Sequence, residues 1–410
     1  MRQARQASRS KSLTVLYKGP FDFSQNNAAA QFALAMEAAI AASGHVPIVV
    51  GRDSVHESHS YSDPRGQDRR GLTLGRQFGI AGRIAQSFKE SCSLRKQIKG
   101  ADCVIVYNAT TPTLVASILW CRIRRVTLLA HSTEWYADPP LTNGGVEAVL
   151  RRLDVRIRMH ILHRAVDGLI VSSRLLRDYY RHKPSLVLPT LSSIDVSGGS
   201  TWSRRGTIPA IVYAGTPFDL RRTSIHREEM KDRLDKTLDL LVGVKEAGVS
   251  FYFDIYGLTK DEYITALPDQ EPTVSALFPL VRFHGKVAPK EVLTAISEAD
   301  FTILQRDPNR VTLAGFPTKL TESINVGTPI ITDAIGDIRR YVVDGVTGYL
   351  LPREKEAATR RLTEILSQTP ETRSAVKFDC LNYDELRTHK WAQPISDFIR
   401  SMVDSQRPVS

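Results

Sequence analysis

The chain has 410 residues, 42% of them apolar, and a formal charge of +11. Such a length predicts two domains, or three, each able to bury a core. The basic clusters at 65–70, 122–125 and 151–158 are scattered and carry no interleaved aromatics, which argues against a nucleic-acid groove; anionic small molecules or an anionic membrane surface account for the charge equally well.

In chain order, residues 1–12 read as a disordered basic arm with no secretory apolar core behind it. A strand is expected over Leu13–Tyr17, then a loop, an Ala-rich helix from about Asn27 to Ala42, a stop at Gly44 and a strand over His45–Val50. No G-x-G-x-x-G follows the first strand, so a dinucleotide gains no support. Asn26 and Asn27 either cap the helix or meet a ligand, and capping is the simpler reading. The polar stretch 53–82 reads as a mobile loop; His56 and His59 lack a metal-ligand spacing. The four cysteines (Cys92, Cys103, Cys121, Cys380) form no CxxC pair, so a reduced compartment is expected and a metal framework is not.

A helix near 84–98, a strand over Cys103–Tyr107 and a helix over Pro112–Trp120 follow. The apolar run 114–120 is too short to span a membrane. The strand expected over Arg125–Ala130 runs into H-S-T-E-W-Y at 131–136. Ligands in open α/β sheets gather beyond the carboxyl ends of strands, which makes His131 and Glu134 candidates; the alternative for His131 is a hydrogen bond to a loop carbonyl. Residues 146–165 read as one long basic helix, with Leu150, Leu153, Ile157, Ile161 and Leu162 on its apolar side and its arginines toward water or lipid headgroups. A strand at 167–172, a helix at 173–180 and a short strand at 186–188 complete the first series.

The Gly/Ser-rich stretch 196–207 is the expected linker. A second series follows: strand 211–214, helix 228–247, strands 251–256 and 281–284, helix 289–298 and strand 301–304. Arg306 falls just past that last strand, as an anion contact or an exposed loop arginine. In Ala314–Gly348, Pro317 suits the opening of a helix over 318–326, whose free N–H groups suit a diphosphate. Lys319 in its first turn opposes the helix dipole and wants an anion, and Glu322 lies on nearly the same face. Gly327 ends the helix before the strand 330–332. Helices at 355–366, 370–378 and within 383–403 close the chain.

G-F-P-T-K-L-x-E-S-x-x-x-G-T-P-I-I-T, with I-G-D-I and D-G-V-T-G-Y-L after it, resembles the donor-site segment of retaining GT-B glycosyltransferases of family 4. The resemblance is sharp between about 300 and 350. D-G-L-I-V-S-S-x-x-L-x-x-Y, P-T-L-S-S-I-D and H-G-x-V at His284–Val287 fit the same family more loosely. It implies an α/β GT-B fold, with two Rossmann-like parallel-sheet domains facing across a cleft. The acceptor-side domain would be 13–195, the nucleotide-sugar domain 208–382, and a final helix over 383–404 would return to the first domain.

The implied activity is transfer of a sugar from a nucleoside diphosphate sugar to a saccharide or lipid-linked hydroxyl, without cofactor or metal. In that family the residue matching Glu322 holds the ribose, and the loop at Gly315, Phe316, Pro317 and Thr318 embraces sugar and diphosphate. Lys319, Lys231, Arg306 and Arg221 (or Arg222) would face the phosphates, Gly285 the base pocket and His131 the transferred sugar. Trp135 and Tyr136 would stack on a sugar or fill the domain edge. The resemblance also implies a cytoplasmic protein that can touch the inner membrane face, and no nucleic-acid partner. One departure is plain: the family's first glutamate, separated from the second by seven intervening residues, is Ala314 here. A catalytically silent sugar-nucleotide-binding or scaffold protein and a sugar-nucleotide epimerase share this fold and stay open.

Overall fold

The structure, a computed structural model, describes residues 11–23, 28–51, 55–56, 93–135, 146–192, 206–218, 220, 225 and 227–406. The Val/Ile/Leu-rich runs form strands, the central ones buried on both faces, as parallel sheets covered by helices require. The first sheet contains β1 Thr14–Lys18, β2 Val46–Val50, β3 Val55–His56, β4 Cys103–Tyr107, β5 Thr127–Ser132, β6 Gly168–Val171 and β7 Ser185–Val187, in the order β3-β2-β1-β4-β5-β6-β7. The second contains β8 Ala210–Ala214, β9 Tyr252–Tyr256, β10 Val281–Gly285, β11 Phe301–Leu304, β12 Ile330–Asp333 and β13 Gly348–Leu351, in the order β10-β9-β8-β11-β12-β13. Every pairing is parallel except β2 with β3. These are two Rossmann-like α/β units in the GT-B arrangement.

Alternation along the first sheet separates its two cores. Val15, Tyr17, Ile105, Leu129 and Ile170 face helix Ala28–Ala42 and the last helix, Thr388–Ser405. Leu16, Val104, Leu128, Leu169 and Val171 face the opposite layer. The last helix sets Ile395, Ile399 and Val403 into the first unit's core, and Ser396 Oγ lies 2.9 Å from His45 Nε2. The second unit has one large core, running from Ile211 and Phe253 to Leu362 and Leu386, and a small one of Val212, Ile296, Ala299 and Val326.

The units meet where strand ends face each other. Ser172 donates to the Ala314 carbonyl at 2.7 Å, Thr190 to the Phe316 carbonyl at 3.0 Å and Thr321 to the Thr190 carbonyl at 2.7 Å. Asp337, from I-G-D-I, accepts the Arg174 amide at 2.6 Å. Ala314 is fully buried among first-unit apolar residues. A glutamate there would have to bury its charge in this packing.

Several expectations need correction. β5 ends at Ser132, so His131 lies inside the strand, paired with Tyr107 and Ile170. The preceding helix runs on past Trp120 to Arg124, and Arg125 (φ 56) closes it in the left-handed region, which delays the strand. The basic helix 146–165 is interrupted: α-helix Val146–Ile157 gives way to a π-turn at Arg158–Leu162. The extra residue per turn rotates the faces. Met159 and Leu162 go inward, while Leu150, Leu153 and Ile161, expected on the apolar core side, face solvent. Arg158, expected in water, is buried and donates to the Ala109 carbonyl at 3.1 Å.

The helix expected from 228 starts only at Leu234, because the segment before it is held elsewhere: the Arg233 amide donates to the Gln305 carbonyl at 2.7 Å. Strand β3 and the helices Lys260–Ala266, Glu271–Ala276 and Arg310–Ala314 were not foreseen. Residues 1–10 of the arm, 196–205 of the linker, Asn26, Asn27, His59, Tyr136, Arg221 and Arg222 lie outside the described residues.

Candidate functional site: a cation pair at an interdomain helix

Helix Thr318–Asn325 forms where the sequence places it. Pro317 takes the N-cap position (φ −75, ψ 122) and no side chain caps the end. Leu320 and Ile324 anchor the helix in the second core. Its first-turn amides therefore open toward the junction of the two units. Thr318 and Gly315 are half-buried, while Phe316 and Pro317 are buried; the Phe316 ring meets Tyr341 edge-on, with centroids 5.2 Å apart.

Lys319 finds an anion within the protein. Its Nζ pairs with the Asp232 carboxylate, lies 3.2 Å from the Tyr213 hydroxyl, and sits over the Tyr213 ring at 4.6 Å. Gly215 (φ +143) makes this possible, because a Cβ there would occupy the space of the lysine side chain. The other oxygen of Asp232 accepts Arg306 Nε at 2.9 Å, and Tyr213 donates to Asp232 at 3.0 Å. The Arg306 amide is fixed in turn by Asp333 at 2.7 Å.

Burial alone would raise the Asp232 carboxyl, but Lys319 and Arg306 outweigh it and hold the group well below the usual carboxylate range. Burial pulls Lys319 below the usual lysine range, with Asp232 opposing. Two cations thus share one carboxylate, and Arg306 Nη1 is buried with no partner. A buried guanidinium donor left unused beside a second cation is a feature that an incoming anion would satisfy.

Glu322 is half-buried beside this group, and no described residue bonds its carboxyl. Burial pushes it up to about 7, with Lys319 opposing. Asp333 is likewise pushed up by burial, to about 6. Gly285 (φ +66) ends β10, and next to it His284 stacks on Tyr256 at 4.4 Å and bonds Asp254 at 2.7 Å.

Two proposed residues, Lys231 and His131, lie differently from expectation, and for Arg306 one of two readings falls away. Arg306 is not an exposed loop arginine; it is buried in the Asp232 cluster. Lys231 is not on a helix facing that cluster. It reaches across the junction to Glu134 at 3.0 Å, while its neighbour Asp232 turns inward. His131 is 1% exposed, with Nδ1 3.1 Å from the Tyr17 hydroxyl and Phe32 and Tyr107 around its ring. Its Nε2 is buried without a partner. Burial drives the imidazole down to about 3, so it is neutral at physiological pH. Any activity profile between about pH 5 and 8 should therefore show no inflection from His131. An inflection abolished by His131→Asn would contradict this placement.

Asp232 and Tyr213 are the residues that sequence reading missed. An aspartate in K-D-R-L-D looks like surface charge until Lys319, far along the chain, is seen to close on it.

A second feature lies alongside. A cavity of about 1010 Å³ is lined by Trp135, Met159, His160 and Tyr179 from the first unit and by Asn309 and Arg310 from the second. Trp135 meets Tyr179 edge-on at 4.9 Å, and the Arg310 guanidinium covers the Trp135 ring at 5.4 Å. The short segment from Arg306 to Arg310 joins this cavity to the cation cluster.

Residues 276–378 match the family model described as glycosyl transferases group 1. No curated protein matches the chain. Among solved structures, HepE of Anabaena in complex with UDP and glucose is 13% identical, with a TM-score of 0.57 over 95% of this chain and 100% of that one. Sucrose-phosphate synthase of Thermosynechococcus elongatus is 13% identical, with a TM-score of 0.59 over 96% and 100%. A putative UDP-N-acetylglucosamine 2-epimerase of Listeria monocytogenes is 11% identical, with a TM-score of 0.56 over 96% and 98%. The segment carrying Arg306, Lys319 and Glu322 is thus a glycosyl transferases group 1 match set in a chain of GT-B fold.

Proposed function

We propose that the protein transfers a sugar from a nucleoside diphosphate sugar to an acceptor hydroxyl, with retention at the anomeric carbon. The observation that carries this reading is the pair Lys319–Arg306, sharing one carboxylate at the uncapped start of helix Thr318–Asn325, inside the family-matched segment. UDP in the HepE complex supports a nucleoside diphosphate as the anion. The acceptor-side domain is 13–195, the donor-side domain 208–382, and 196–207 joins them.

In this mechanism the bond from the anomeric carbon to the diphosphate oxygen breaks and a bond to the acceptor oxygen forms. Negative charge grows on the leaving diphosphate, where Lys319, Arg306 and the amides of Thr318 and Lys319 stabilise it. The acceptor proton passes to a leaving phosphate oxygen on the same face. Glu322 takes the ribose hydroxyls, Gly315 and Phe316 bound the sugar, Gly285 borders the base, and Lys231 joins the phosphates when Glu134 releases it. His131 supports the sugar side from within β5. The Trp135–Tyr179–Arg310 cavity, aromatic and basic, receives a saccharide or lipid-linked acceptor.

The test is a mass-shift assay across nucleoside diphosphate sugars, with and without saccharide acceptors. Acceptor-dependent transfer should persist in excess chelator, because protein cations and amides do the electrostatic work. Loss of transfer on chelation, restored by magnesium or manganese, would contradict that assignment. A changed donor sugar without acceptor would indicate an epimerase instead.

A further inference from the structure

Lys231 and Glu134 link the two units through one ion pair, 3.0 Å long. Each is the chain neighbour of a different half of the site. Lys231 precedes Asp232, which holds Lys319 and Arg306. Glu134 precedes Trp135, which lines the interdomain cavity. The pair therefore lies between the cation cluster and the cavity.

The backbone beneath both partners is fixed. On the second unit, the Lys231 amide donates to the Pro217 carbonyl at 3.3 Å, and Met230 and Asp232 on either side are buried. On the first unit, Asn108 Nδ2 donates to Thr133 Oγ1 at 2.8 Å, and the Ser172 hydroxyl donates to the Thr133 carbonyl at 2.9 Å. What is left free is the two side chains, 47% exposed for Lys231 and 42% for Glu134. Neither side chain has a second hydrogen-bond or ion-pair partner among the described residues.

An ion pair this exposed contributes little to stability, because water screens it and two long side chains must be ordered to make it. It is a weak strut between domains and an easily exchanged one. The Asp232 carboxylate, 3% exposed, is its opposite. Lys231 also feels the cation cluster: its charge adds to the effects that pull the Lys319 ammonium down. An anion drawn to Lys319 and Arg306 attracts Lys231 for the same reason, and a diphosphate brings more negative charge than one carboxylate.

We propose that Glu134 is a built-in competitor for the donor diphosphate. It holds Lys231 while the site is empty. The diphosphate then takes Lys231, and the released carboxylate accepts a hydrogen bond from an acceptor hydroxyl in the adjoining cavity. Donor binding thereby prepares the acceptor site. Glu134 orients that hydroxyl and takes no proton from it. The inference rests on the donor-site reading above and adds the exchange of partners to it.

The test is calorimetric titration of the full chain with inorganic pyrophosphate, for the wild type, Glu134→Gln, Lys231→Met and the double variant. Glu134→Gln should bind about two- to five-fold more tightly than wild type, the range set by the worth of an exposed pair. Lys231→Met should bind more weakly, and adding Glu134→Gln to it should change nothing further. In steady-state transfer with the donor and acceptor that the mass-shift assay identifies, Glu134→Gln should raise the acceptor KM at least about five-fold and leave the donor KM no higher. Both side chains are half exposed, so the unfolding temperatures should match. A wild type that binds pyrophosphate no less tightly than Glu134→Gln would overturn the competitor while leaving the donor site standing. Equal tightening with and without Lys231 would overturn it too, since that marks a general field effect. An acceptor KM that does not move would remove Glu134 from the cavity. No pyrophosphate binding by any of the four proteins would overturn the donor-site reading itself, and the inference with it.

Discussion

Asp232→Asn should destabilise the ligand-free protein strongly and make it unusually responsive to pyrophosphate. Asp232 is the only carboxylate that the described contacts give to both Arg306 and Lys319. Removing it leaves a buried guanidinium, which already has one unpartnered nitrogen, beside a lysine whose side chain is one-quarter exposed. Breaking a buried pair on one side costs about 3–5 kcal/mol. Lys319 can turn toward solvent, so the lower end applies, or roughly 5–10 °C in melting temperature.

A diphosphate supplies the missing negative charge. Pyrophosphate or UDP should therefore raise the melting temperature of the variant by more than it raises that of the wild type. Unchanged stability, or equal ligand shifts in the two proteins, would show that the three groups do not act as one anion site.

Glu322→Gln should move binding and stability in opposite directions. A carboxylate accepting ribose hydroxyls makes charge-assisted hydrogen bonds of about 1.5–3 kcal/mol, so nucleoside diphosphate affinity should fall about 10- to 100-fold. Stability follows from the titration. The Glu322 carboxyl moves from 4.5 to about 7 on folding. Below 4.5 it is neutral in both states. Between the two values the native state binds the extra proton, so stability falls as pH rises, and above about 7 the full penalty is present.

Because the residue is only half-buried, solvent reduces that penalty to about 1 kcal/mol. Glu322→Gln should therefore stabilise the empty protein by about that amount near pH 8 and by almost nothing near pH 4. Denaturation at the two pH values, with calorimetric titration of UDP, checks both halves. A variant with native affinity for nucleotide, or one no more stable at the higher pH, counts against the assignment.

The sheets were legible in the sequence because both faces of their central strands are buried, which leaves continuous apolar runs punctuated by glycine and proline. The helix Thr318–Asn325 was legible for a local reason, since Pro317, Gly327 and the Leu320/Ile324 spacing fix it. What was not legible depends on long-range contacts. Leu150 and Leu153, ahead of the π-turn at Arg158–Leu162, and Ile161 within it face outward, although their helical spacing had suggested a core face. β5 gained two residues from pairing with β4 and β6, which took His131 from a rim into the sheet.

The cation site shows the same division. Lys319 and Glu322 could be named from the first turns of one helix. The inward turn of Asp232 and the outward reach of Lys231 are set by partners 87 residues ahead and 97 residues behind. Adjacent residues in a polar segment give no local sign of which one the fold will bury.

The most direct measurement is a crystal structure of the protein with UDP. The diphosphate should lie against the amides of Thr318 and Lys319, with Lys319 Nζ drawn from Asp232 to a phosphate oxygen, Arg306 still on Asp232, and the ribose hydroxyls on Glu322. A nucleotide bound elsewhere, or one bound there with Lys319 still closed on Asp232 and Glu322 untouched, would contradict it.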